Sequence, residues 1–144
     1  MLLIQMPIDS NQLKQRISEV LEAKAELKRL TSKIYTLLNM EEKYAIRYHI
    51  IVLAESLGGI CLQIAIDEFK MKPGSFAECF KIMEEKEICK GCAKELIAIV
   101  RLRNILTHRY WVIDDGQVYD SIKNNFQGVD KFLRSAKERY AINL

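Results

Sequence analysis

From Ile50 to Ile66 the chain is apolar almost all the way round a helix, with Glu55 its one charged residue. A segment of that kind has no face to give to water. It folds only where other elements cover it, so it predicts a central buried helix over Glu41 to Phe69 with a bundle packed around it. The chain has only 2 prolines, Pro7 and Pro73, so no proline interrupts the helices between them. Gly58 and Gly59 sit mid-helix, where each glycine costs about 1 kcal/mol relative to alanine. Close approach of another helix, from this chain or a second copy, would account for them. Glu55 needs a partner in such apolar company. Pairing with an arginine is the expected role, and aligning charge around Arg103 is the alternative.

The remaining segments supply the cover. Asp9 or Ser10 is placed to cap a helix that starts near Asn11. From there apolar residues fall at Leu13, Ile17, Val20, Leu21, Leu27, Leu30, Ile34, Leu37 and Leu38, mostly three or four apart. That spacing predicts one long amphipathic helix, broken at Asn39-Met40. Lys72-Pro73-Gly74-Ser75 reads as a turn, with Ser75 the cap of a short helix over Phe76 to Glu85. Ile88 to Gly91 reads as a connector, followed by a fourth helix from Cys92 to about Leu106. Trp111 to Gly116 reads as a loop, on the turn signal Asp114-Asp115-Gly116. A fifth helix is expected from Val118 to about Ala141. Alternation of the strand type is absent. The expectation is an all-α antiparallel bundle of about five helices, one domain over residues 1–144, a length that buries a core without disulfide or metal.

The opening Met-Leu-Leu-Ile-Gln-Met is short, lacks a basic flank and meets Pro7 at once. It reads as neither a signal peptide nor a membrane span, and a soluble cytoplasmic chain is expected. Net charge is +3, from 22 basic and 19 acidic residues. So weak an excess permits nucleic-acid binding without arguing for it.

Chemistry gathers in Arg101-Leu102-Arg103-Asn104-Ile105-Leu106-Thr107-His108-Arg109-Tyr110-Trp111. Three arginines, one of the two histidines and the only tryptophan fall in these few residues. Asn104 and His108 share a helix face if the helix persists to His108. Arg103 and His108, five apart, converge only if the helix turns near Thr107 or a second subunit contributes. A ribose 2′-OH attacks its own phosphate once a base removes its proton, and histidine titrates where that job needs it. A planar guanidinium suits the charge that builds on the phosphate. Asn104 suits positioning, and Tyr110 suits stacking on a base or bonding to phosphate. The plainer reading is that the basic residues complement a helix dipole and that Tyr110 and Trp111 cover the core.

The string Arg103-Asn104-Ile105-Leu106-Thr107-His108-Arg109-Tyr110 resembles the R-N-x-x-x-H-x-Y motif of the HepT-like branch of the HEPN superfamily. Pro73-Gly74-Ser75-Phe76-Ala77-Glu78-Cys79-Phe80 resembles that branch's P-x-S-Y-x-E-x-F stretch. The likeness covers about Tyr44 to Ala136 and includes Ile113-Asp114-Asp115 and Val118-Tyr119. Leu102 departs from the aromatic residue more usual before the Arg-Asn pair. The resemblance implies a HEPN-type bundle and the toxin of a type VII-like HEPN/MNT toxin–antitoxin module, a metal-independent endoribonuclease acting on tRNA or mRNA. It implies Arg103 and His108 as the catalytic pair, Asn104 as a residue shaping the site, and Arg101 and Arg109 as RNA contacts. It implies Tyr110 as the tyrosine that a minimal nucleotidyltransferase antitoxin modifies with AMP. It implies a homodimer whose two motifs face one cleft, with no cofactor and no metal. The rival expectation is a non-catalytic module that partners a nucleotidyltransferase or binds nucleotide or RNA.

Cys89-Lys90-Gly91-Cys92 lacks the second cysteine pair that a zinc ribbon needs. All four cysteines, with Cys61 and Cys79, are expected to be free thiols. His49 is expected to be a structural residue.

Overall fold

Two strongly capped helices set the frame. In this computed structural model, which describes residues 8–144, α1 runs over Ser10–Thr31 and α2 over Met40–Asp67. The expectation for Met1 to Pro7 lies outside the described residues. Asp9 caps α1 by accepting from the Gln12 amide. Asn39 and Glu42 close a reciprocal capping box on α2, with bonds of 2.8 and 3.1 Å, so two orphan donors are satisfied at once. The helices are antiparallel. Gln63, late in α2, donates to the Asp9 carbonyl, Ser56 donates to Glu19 mid-helix, and Lys33 pairs with Glu42 at the far end.

The predicted first helix is too long. It stops at Thr31, and Tyr35–Leu37 form one 3₁₀ turn. Ser32 Oγ donates to the Arg29 carbonyl, and the buried Tyr119 hydroxyl is a donor to the Thr31 and Lys33 carbonyls. Those bonds satisfy the helix end, and the chain leaves it. Ile34 and Leu37, which prolong the apolar spacing, are 66% and 70% exposed.

α2 is the centre. Leu53, Ala54, Leu57, Ile60 and Ile64 are fully buried, and α1, α3 (Phe76–Glu85), α4 (Ala93–His108) and α5 (Asp115–Ile122) all pack on it. Its composition would also let it cross a membrane, but 61% of its most apolar window is buried inside the bundle, as a core helix requires. Ser75 caps α3 as expected, accepting from the Glu78 amide at 3.1 Å. The core continues under α6 (Gln127–Arg139), where Phe132 meets Phe80 edge to face, with centroids 6.1 Å apart. The described residues form an all-helical bundle with no strand.

The expected fifth helix is two helices. Asn124 takes φ +61, a left-handed geometry that asparagine tolerates, and the chain turns there before α6 begins. Phe126 gives α6 no side-chain cap. Glu95 of α4 does so instead, accepting from the Val129 amide at 2.9 Å. A Cβ on Gly128 would lie 2.5 Å from that carboxylate, so the glycine admits the cap. Asp115 and Gly116, read as loop, open α5, because Asp114 accepts from the Gly116 and Gln117 amides and makes a cap of the turn.

Cys89 and Cys92 are joined in a disulfide, not free. Gly91, at φ +77, supplies the turn that brings them together. Cys61 and Cys79 are free, buried neighbours. Burial, reinforced by the Cys79 thiol beside it, pushes the Cys61 thiol far above its ordinary range, so it stays protonated.

Candidate functional site

α4 has two faces of opposite character. Leu96, Ile97, Ile99, Val100 and Leu106 are buried against the bundle. Arg101, Asn104, Ile105 and His108, at i, i+3, i+4 and i+7, form an exposed stripe on the other side. With Arg109 they line an open depression of about 540 Å³. The helix starts on a borrowed cap, with the Ala93 amide donating to Glu84 of α3 at 3.1 Å. It persists through His108, and Arg109 closes it by donating its amide to the Ile105 carbonyl at 2.9 Å. Asn104 and His108 therefore do share a face.

Arg103 does not share it. At about 100° per residue, Arg103 and His108 point roughly 140° apart around the axis. Arg103 turns toward α2 and pairs with Glu55. Its guanidinium lies over the Phe76 ring, 5.4 Å from the centroid. A Cβ on Gly58 would come within 2.4 Å of that same ring. Gly58 is thus where the first residue of α3 presses onto α2, and Phe76 becomes the floor beneath Arg103. The Arg103 side chain is 18% exposed, and its Nε is buried with no hydrogen-bond partner. The pairing expected for Glu55 is found, and its partner is the motif arginine.

Beyond α4 the chain makes one 3₁₀ turn, Tyr110–Val112. Tyr110 and Trp111 do not cover the core. They are 68% and 69% exposed and meet edge to face at 5.4 Å. The turn is anchored beyond by Asp115, which takes two bonds from Arg47 at 2.8 and 2.7 Å. That bidentate contact holds the Arg47 guanidinium above its usual range. His49 lies outside the depression, stacked edge-on to Tyr48. Among the described residues no group of three or more His, Cys, Asp or Glu side chains could hold a metal ion.

Phe76 is the contributor that sequence reasoning missed. Its place in the Pro73–Phe80 stretch was visible, but nothing in that spacing says its ring lies under an arginine of another helix.

A family model described as "Ribonuclease HepT-like" matches residues 16–136. No curated protein matches. Among solved structures, the chain is similar to YutE from Bacillus subtilis, a cytosolic protein of unknown function. The TM-score is 0.79 at 18% identity, over 92% of this chain and 90% of that one. It is similar also to a chain from a toxin–antitoxin crystal structure with AMP-PNP. There the TM-score is 0.80 at 13% identity, over 89% of this chain and 98% of that one. At such identities the two likenesses speak for the fold.

Proposed function

The chain belongs to the HepT-like ribonuclease family, and from that premise we propose that it is a HEPN toxin that cuts RNA without a metal through Arg103 and His108. The observation that carries the reading is the unbroken run of α4 through His108. It presents His108, Asn104 and Arg101 on one open stripe and leaves Arg103 fixed on Glu55 at another angle. One chain cannot close that pair around a phosphate, and two copies with their α4 ends facing across a cleft can. We accordingly read the active form as a homodimer.

In that cleft His108 takes the proton from a ribose 2′-OH, and the freed oxygen attacks the adjacent phosphorus. The bond to the 5′-oxygen breaks, and that oxygen leaves with a proton. The products are a 2′,3′-cyclic phosphate and a 5′-hydroxyl. Arg103 answers the charge on the phosphate, Asn104 orients His108 or a phosphate oxygen, and Arg101 and Arg109 hold the strand. The exposed Tyr110 hydroxyl is open to a nucleotidyltransferase antitoxin. Transfer of AMP to it from ATP, with pyrophosphate leaving, would set a bulky anion at the mouth of the cleft.

One observation favours the second reading, a module that binds and does not cut. Glu55 already engages the Arg103 guanidinium. Expression of wild type, Arg103→Ala and His108→Ala in a host lacking the antitoxin separates the two. Growth arrest and RNA cleavage by wild type alone, with both variants folded, is the expected result. Equal toxicity of wild type and His108→Ala would sink the nuclease.

A further inference from the structure

The turn after α4 shows its rings to solvent while its backbone is pinned on both sides. Leu106 is buried before it, and Ile113 packs against the core after it. Within it the Val112 amide donates to the Arg109 carbonyl at 3.0 Å. Asp115, just beyond, is held by Arg47. Yet Tyr110, Trp111 and Val112 stand outside the bundle, with most of both rings exposed. Rings of that size ordinarily go into a core or an interface. The edge-to-face contact between them covers at most one ring face, so broad aromatic surface stays open.

What adjoins the rings points to a polyanion. Over the whole chain 22 basic residues nearly balance 19 acidic ones. The depression on α4 has no such balance. It is lined by Arg101, His108 and Arg109 with Asn104 and Ile105, and by no carboxylate. Arg109, the last of these, is followed directly by Tyr110 and Trp111. The nearest acids in sequence are committed elsewhere, Asp114 to the Gly116 and Gln117 amides and Asp115 to Arg47. Cations that track a phosphate backbone, beside rings that take its bases, are the combination by which proteins hold single strands.

We propose that Trp111, buttressed by Tyr110, is a base-stacking platform through which the chain prefers unpaired nucleotides to duplex. A duplex keeps its base faces in its own stack, and only an unpaired base can lay one on the indole. Every base has such a face, so the platform selects single-strandedness and not base identity. That the held strand is also the substrate rests on the ribonuclease reading, whereas the stacking does not.

Trp111 is the only tryptophan, so its fluorescence reports on the platform alone. The probe is a short 2′-O-methyl RNA oligonucleotide of mixed sequence, offered single-stranded or annealed to its complement. Its blocked 2′-oxygen cannot attack the phosphate, so binding is read whether or not the protein cuts. The expected result is quenching of Trp111 by the single strand and not by the duplex. A dye-labelled copy of the strand, followed by polarisation, should bind Trp111→Leu about tenfold more weakly, the loss expected for one stacked base. Trp111→Phe should regain most of that loss, because it restores a ring face where leucine restores only apolar bulk. An exposed ring can be replaced without unfolding the bundle. Equal quenching by strand and duplex, or unchanged binding by Trp111→Leu, overturns the platform. A blue shift of Trp111 emission on raising protein concentration without oligonucleotide, with no response to the strand, gives the surface to a second copy and overturns it too. Stacking on the single strand with no cleavage of the unmodified RNA keeps the platform and removes the nuclease. Cleavage with no Trp111 response does the reverse.

Discussion

Arg103 and His108 lie five residues apart on one helix and live in opposite circumstances. Arg103 is 18% exposed, ion-paired to Glu55 and laid over Phe76, so the chain has fixed its direction before any ligand arrives. His108 is exposed at the last turn, in an open depression among Arg101, Asn104 and Arg109. The difference teaches a division of labour. The arginine is fixed by this chain's own residues, whereas the histidine stands in the open with no such anchor.

The largest expected effect is on cleavage, and stability sharpens it. Arg103→Ala and His108→Ala should each lower the cleavage rate by about 10³-fold, within the range for loss of a positioned acid–base or charge-stabilising group. In urea unfolding the two should part company. His108→Ala should stay within about 0.5 kcal/mol of wild type, as an exposed substitution does. Arg103→Ala should cost about 1 kcal/mol through lost packing on Phe76 and a stranded Glu55. Equal losses would break the comparison.

Next is the anchor. Glu55→Gln keeps the shape and removes the charge, so cleavage should fall about tenfold with kcat affected more than KM. A change in KM alone would place Glu55 outside the chemistry. Gly58→Val should displace Phe76 and cost about 1–3 kcal/mol by overpacking. Gly59→Ala should cost less, because only the end of the flexible Arg16 side chain stands in the way. Thermal denaturation of the two variants checks the order.

The smallest effect is far from both. Arg139, with Tyr140 beside it, holds the Glu68 carboxyl below its usual range. A depressed folded pKa means stability that is present above the unfolded carboxyl pKa and lost as pH falls through the folded one. Glu68→Gln should therefore cost less than about 1 kcal/mol at pH 7, as a partly exposed pair does. The gap from wild type should close on acidification below about pH 4, followed by urea midpoints at each pH.

Much of this arrangement was legible in the residues. The run from Ile50 to Ile66 announced the central helix, because no other placement spares it from water. Ser75 announced the start of α3, and lone Glu55 in an apolar run announced an arginine partner. The spacing of Asn104 and His108 gave their common face. Other features depend on contacts that spacing does not encode. Ile34 and Leu37 keep the helical period yet stand in solvent, because Tyr119 closes α1 from another helix. Asn124 breaks the last helix through a backbone angle that asparagine permits without requiring it. Glu95 replaces a missing cap from more than thirty residues away in sequence. The Cys89–Cys92 disulfide was invisible because a C-x-x-C serves thiols, metals and disulfides alike.

The central claim is a metal-independent cut made by Arg103 and His108. The direct test is to incubate purified protein, shown by intact mass to carry an unmodified Tyr110, with tRNA and mRNA in EDTA beside His108→Ala, and to map the new ends. Wild type alone should leave 2′,3′-cyclic phosphate and 5′-hydroxyl ends. Intact RNA from the folded, unmodified wild type, or the same cuts from His108→Ala, would contradict the account.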